Sequence, residues 1–129
     1  MLTQTLRKIF DVEAAITSVH RVLTPGGVVL ATLPGLSPLA DSEGDNAEHW
    51  GFTPLSARRL FESVFDAADV DVASYGNVLS ATAFLHGIAA DELSPEELDY
   101  HDPSYPLVIT VRAIKSPRLP LTGMSDARN

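Results

Sequence analysis

The apolar positions between residues 12 and 33 change period part-way along. Val12, Ala15, Ile16, Val19, Val22 and Leu23 recur at offsets of three and four, the spacing of one helix face. Asp11 precedes them as an N-cap, and Glu13 suits the positive end of the helix dipole. Thr24-Pro25-Gly26-Gly27 then breaks the pattern, and Val28–Leu33 is a nearly continuous apolar run. Such a run suits a strand of a parallel sheet with both faces covered. A helix feeding such a strand is half of a βαβ unit, so the first expectation is an α/β fold.

The rest of the chain continues this alternation of elements. Thr53 caps a second helix with Pro54 at its first position. Ala57, Leu60, Phe61, Val64 and Phe65 form its inner face, and Arg58, Arg59 and Glu62 turn to water. Val70–Tyr75 alternates weakly, as a strand near a sheet edge does. Asn77 caps a helix from Val78 to about Ala90 that is apolar nearly all round, which predicts deep burial or a place over a cavity. Ser94-Pro95-Glu96-Glu97 is a capping-box pattern opening a short acidic helix, and Asp102-Pro103 marks a turn. From Leu107 to Ile114 one face reads Leu107, Ile109, Val111, Ala113 and the other Val108, Thr110, Arg112, Ile114, a clear strand. Residues 36–51 have no periodicity and read as a long loop of the kind used as a lid or binding loop. The tail after Lys115 is rich in Pro, Ser and small polar residues and reads as disordered.

The wording of several segments is closer to a known family than the pattern requires. His20-Arg21-Val22-Leu23-Thr24-Pro25-Gly26-Gly27-Val28-Val29-Leu30-Ala31-Thr32-Leu33-Pro34-Gly35 resembles the join between the fourth and fifth strands of class I S-adenosylmethionine-dependent methyltransferases. The segments around Thr3–Leu6, Asp11–Ile16, Phe52–Phe65, Tyr75–Gly87 and Glu92–Ala113 resemble one branch of that superfamily in the same order. The resemblance implies the C-terminal part of a Rossmann-like fold. Met1-Leu2-Thr3 would be the end of strand four, followed by strands five and six, with an antiparallel strand seven between those two. Residues 1–115 would then be a partial methyltransferase domain and 116–129 a tail. The family's cofactor loop, a glycine-rich turn after the first strand, has no counterpart here; the adjacent glycines Gly26 and Gly27 lie in the later turn. Tight binding of S-adenosylmethionine by this chain alone is therefore not expected. The alternative is a non-enzymatic fragment or assembly subunit that pairs through its exposed strand, either with itself or with a missing N-terminal half supplied in trans.

Composition narrows the partners. At 129 residues with 45% hydrophobic content, the chain is one domain at most. A net charge of −8 argues against a nucleic-acid backbone and against an anionic membrane surface as partner. The absence of cysteine excludes disulfides and thiolate metal sites and fits a cytoplasmic protein. No apolar run approaches the roughly 20 residues of a membrane span. The resemblance implies a methyl acceptor, expected to be a small molecule such as a hydroxylated metabolite or a sugar.

Candidate site residues follow from position and chemistry. The resemblance puts Thr3, Gln4 and Thr5 in the loop after strand four, against the methionine part of the cofactor. Where relatives carry a histidine after the Thr-Leu pair, this chain has Arg7. His49, Trp50 and Phe52 end the long loop as an aromatic cluster able to close on a substrate, or to plug the base of the next helix. Trp50 is expected to be partly buried against the helix that starts at Pro54. Tyr75, Gly76 and Asn77 end a strand, where α/β folds place ligands; Asn77 also reads as a helix cap. His86, in the apolar helix, is either a hydrogen-bonded core residue or a weak candidate for a catalytic base. Asp99, His101 and Asp102 lack the spacing of a metal site and read as part of a solvated acidic surface. A hydrolase reading finds no G-x-S-x-G elbow.

Overall fold

The computed structural model describes residues 1–39 and 47–117. The centre of the loop expected at 36–51, and most of the tail expected after Lys115, lie outside the described residues. Four strands form one open mixed sheet: β1 (Leu2–Thr3), β2 (Val28–Pro34), β3 (Val70–Tyr75) and β4 (Val108–Ile114), in the order β1-β2-β4-β3. β1 and β2 run parallel and are joined through α1 (Val12–Val22). β4, last in sequence, lies antiparallel between β2 and β3, with Ala31 opposite Val111 and Val72 opposite Val111 on its other side. α2 (Pro54–Glu62) joins β2 to β3, while α3 (Val78–His86) and α4 (Pro95–Asp99) lie between β3 and β4. The chain is therefore an α/β protein with an open mixed sheet.

The helices start and stop for local reasons. The Asp11 carboxylate accepts the Ala14 N–H at 2.9 Å. The Lys115 ammonium donates to the carbonyls of His20 and Leu23 at 2.9 and 2.8 Å, holding the negative end of α1. At the following turn Pro25 fixes one φ, Gly26 takes φ 78°, and the Gly27 N–H closes on the Thr24 carbonyl at 2.8 Å. Thr53 and Ser56 make a reciprocal capping box at α2, as Asn77 and Ser80 do at α3. α3 stops at Gly87, in the left-handed region, rather than near Ala90 as expected, because glycine there costs nothing while continuing the helix would.

One face of the sheet carries the core. Val29, Ala31, Leu33, Ile109, Val111, Ala113 and Val70 pack with Ile16 of α1 and with Ala57 and Phe61 of α2, all nearly free of solvent. The other face is open. Val28 and Leu30 keep 44% and 46% exposure, so the expectation of a strand covered on both sides is corrected. The apolar run forms the expected strand, but α1 and α2 both serve the same face. α3 is also not deeply buried. Ala81 and Ala83 face inward, while Val78, Leu79, Phe84 and Leu85 remain 43–55% exposed. None of the described helices is long and apolar enough to cross a membrane.

Candidate functional site

The ends of β1 and β2 frame a cavity of about 280 Å³, lined by Gln4, Arg7, Pro34, Leu36, Ser37, Phe84, Leu107 and Val108. In open α/β sheets, ligands bind outside the carboxyl ends of the parallel strands, and this cavity lies there. The open sheet face has a broader depression of about 340 Å³ over Leu30, Thr32, Ala73 and Thr110. Its floor is short sheet side chains, and its charges, Arg112 and Asp71, already pair at 3.2 Å. The cavity at the strand ends is thus the better candidate for chemistry.

Gln4 follows β1 with φ 53°, and it alone combines a side chain with positive φ among the described residues. A non-glycine residue in this region is uncommon and carries local strain. The strain is held by Thr32: the Gln4 N–H reaches the Thr32 carbonyl at 3.0 Å, and the Gln4 carboxamide donates to the Thr32 hydroxyl at 3.4 Å. Gln4 therefore lines the cavity. Thr3 and Thr5 do not join it. Both are exposed, and the Thr5 hydroxyl donates back to the Thr3 carbonyl at 3.1 Å.

Arg7 sits in the 3₁₀ turn Leu6–Lys8 after β1. One terminal nitrogen pairs with the Glu48 carboxylate at 2.8 Å, and the other donates to the Ser37 hydroxyl at 2.7 Å. The Glu48 side chain is only 5% exposed. The Arg7 carbonyl also accepts the N–H groups of His49 and Trp50. Arg7 thus joins the β1 turn to both ends of the long loop. Its Nε is buried and has no hydrogen-bond partner among the described residues.

The aromatic cluster divides between two roles. Phe52 is 5% exposed and belongs to the core with Ala57 and Phe61, so it is the plug and does not face a ligand. Trp50 is exposed, at 42%, where partial burial was expected, and the partners it has differ from the expected helix α2. It stacks on Phe10 at 6.0 Å, and its indole N–H donates to the carbonyls of Ile9 and Phe10. His49 meets the edge of the same Phe10 ring. His49 and Trp50, with Glu48 and Ser37, border a second cavity of about 220 Å³ beside the first.

The residues after β3 act mainly as braces. Asn77 is 3% exposed; its carbonyl oxygen caps Ser80, and its amide donates to the carbonyls of Glu97 and Tyr100 at 2.8 and 2.7 Å. The oxygen thus caps α3, and both N–H positions of the amide tie α3 to the end of α4. Tyr75 is 58% exposed, and its backbone carbonyl accepts the Leu107 N–H. His86 is exposed in the last turn of α3, which fits neither the core reading nor a cavity-facing base. His101 Nε2 lies 3.3 Å from the Ser74 hydroxyl, and Asp102 accepts the Ser104 N–H, so these groups serve the turn before β4. No cluster of metal-ligating side chains occurs among the described residues.

Phe84, Ser37 and Glu48 were not predicted from sequence. Phe84 is one apolar residue in an apolar helix, and Ser37 and Glu48 lie in a loop without periodicity, so no local signal marked them. Comparison with family models and with curated proteins finds no match to this chain.

Proposed function

We propose that the chain is the C-terminal part of a class I S-adenosylmethionine-dependent methyltransferase domain and forms the acceptor side of its site. The observation that supports this reading best is the strand order. Parallel β1 and β2 are joined through a helix, and the last strand lies antiparallel between β2 and β3. This is the order and direction the sequence resemblance predicts for strands four, five, seven and six. Gln4 at the rim of the cavity supports it further.

The residues present do not fit the whole cofactor. The cavity of about 280 Å³ falls below the range of about 300–1,000 Å³ for pockets that enclose drug-sized ligands. The sequence has no glycine-rich loop to receive a nucleoside. There is room for a small acceptor beside one end of a cofactor. Methyl transfer depends largely on positioning of the two reactants, and the part of this chain is to hold the acceptor. A second reading, an assembly subunit pairing through its strand edge, is favoured by the open face of β2 and by the two-residue β1 at the sheet margin.

The test begins with the coding DNA just upstream. An in-frame strand, glycine-rich turn and helix are expected there. Calorimetry should then give micromolar binding of S-adenosylmethionine by the extended protein and none of that strength by residues 1–129 alone. An upstream frame without such a turn, or micromolar binding by residues 1–129, overturns the reading.

A further inference from the structure

We infer that the groove between α3 and α4 docks a basic amphipathic helix of another protein, with its apolar side chains in the groove and its Lys or Arg residues on the acidic rim. The groove shares no lining residue with the cavity at the strand ends, and its use does not depend on methyl transfer.

An apolar side of α3 faces outward. Val78, Leu79 and Leu85 are 54%, 43% and 55% exposed, and Thr82 is exposed between them. These positions, at i, i+1, i+4 and i+7, share one side of the helix, away from the buried Ser80 and Ala83. A helix that is apolar all round is normally buried, and exposed apolar patches with polar rims mark interaction sites. At the start of α3 this side opens into a groove of about 380 Å³, with Val78 and Leu79 on one wall and Glu96, Glu97 and Tyr100 on the other. The Asn77 amide holds the walls together through the carbonyls of Glu97 and Tyr100. The groove is thus formed before any partner arrives, which lowers the cost of binding.

Charge selects the occupant. From residue 78 to residue 105 the sequence has six carboxylates and no Lys or Arg. None of the six forms an ion pair among the described residues. The Tyr100 ring, 66% exposed beside Glu96 and Glu97, adds a face on which a cation can rest. A second copy of this chain would set one acidic rim against another, and like charges disfavour that. Nucleic acid and anionic lipid are repelled in the same way. An uncharged apolar partner would use the floor and strand the rim.

Length selects a helix over a small organic cation. Val78 to Leu85 covers two turns, about 10 Å at 1.5 Å per residue, and the groove extends that side further. Amphipathic helices dock on such surfaces through apolar residues at i, i+3, i+4 and i+7.

The test is an NMR titration of the chain with a synthetic peptide carrying Leu on one helical face and Lys on the other, about 15 residues long so that it can form a helix. One control peptide has Glu in place of every Lys, and another has Ser in place of every Leu. The Leu–Lys peptide is expected to bind in the micromolar range and to shift the backbone signals of Leu79, Thr82, Glu96 and Tyr100. Both controls should bind at least about tenfold more weakly. Leu79→Ala and Leu85→Ala, at exposed positions, should each weaken binding about threefold. Glu96→Gln should weaken it about twofold and reduce its dependence on salt. Circular dichroism checks that each variant folds. Shifts confined to other residues, equal binding of either control, or unchanged binding by either Leu variant overturns the inference. Shifts of the same four residues on concentrating the chain alone would place a second copy in the groove and overturn it equally.

Discussion

The two faces of the sheet come from the same strands and have different fates. On β2, Val29, Ala31 and Leu33 are 1–3% exposed beneath α1 and α2, while Val28 and Leu30 keep 44% and 46%. β4 repeats the contrast, with Ile109, Val111 and Ala113 at 0–2% and Arg112 exposed. The covered face is a finished core; the other is a sheet surface of Val, Leu, Thr and Ala without a second layer. Sheets with parallel pairing normally have helices on both sides. A strand's sequence records the environment it suits, and among the described residues only one face of this sheet meets it. Apolar side chains on the open face hold unused burial energy, roughly 1.5–3 kcal/mol for each Val or Leu.

Matched substitutions on the two faces of β2 should differ most in their cost. Leu33→Ala removes a side chain that is 1% exposed and should cost about 2–5 kcal/mol in urea unfolding. Leu30→Ala removes the same atoms from the open face and should cost under about 1 kcal/mol, since half of that residue is already in water. Equal costs would mean that the open face is covered in solution. A smaller effect is expected at the rim of that face. Arg112 and Asp71 pair at 3.2 Å with side chains 48% and 76% exposed. A double-mutant cycle with Arg112→Ala and Asp71→Ala should give a coupling of about 0.2–1 kcal/mol that fades with added salt. A coupling of several kcal/mol would place the pair in a buried interface.

The sequence carries most of the covered half. The periodicity of 12–23, the alternation of 107–114 and the caps Asp11, Thr53, Asn77 and Ser94 each predict the element found, because those signals are local. The face-by-face burial of β2 was not legible. An apolar run at both parities says that both faces suit burial, and cannot say whether a second layer is present. For α3 the apolar circumference predicts deep burial or a place over a cavity: deep burial is not found, since only Ser80, Ala81 and Ala83 are buried, while Phe84 lines the cavity at the strand ends. Of the candidate site, Gln4 was legible by its position after a strand. The Arg7–Glu48–Ser37 bridge was not, since it joins residues 30 and more apart through a segment with no pattern.

A half-covered sheet should show itself in the state of the isolated chain. A typical domain is stable by only about 5–15 kcal/mol, so two or three forfeited burials on the open face take up much of that margin. Exposed apolar strands also invite pairing with other chains. Light scattering combined with thermal unfolding should find the chain dimeric, aggregating, or melting low and broadly. A monodisperse monomer melting cooperatively above about 60 °C, the upper part of the range for mesophile domains, would contradict it.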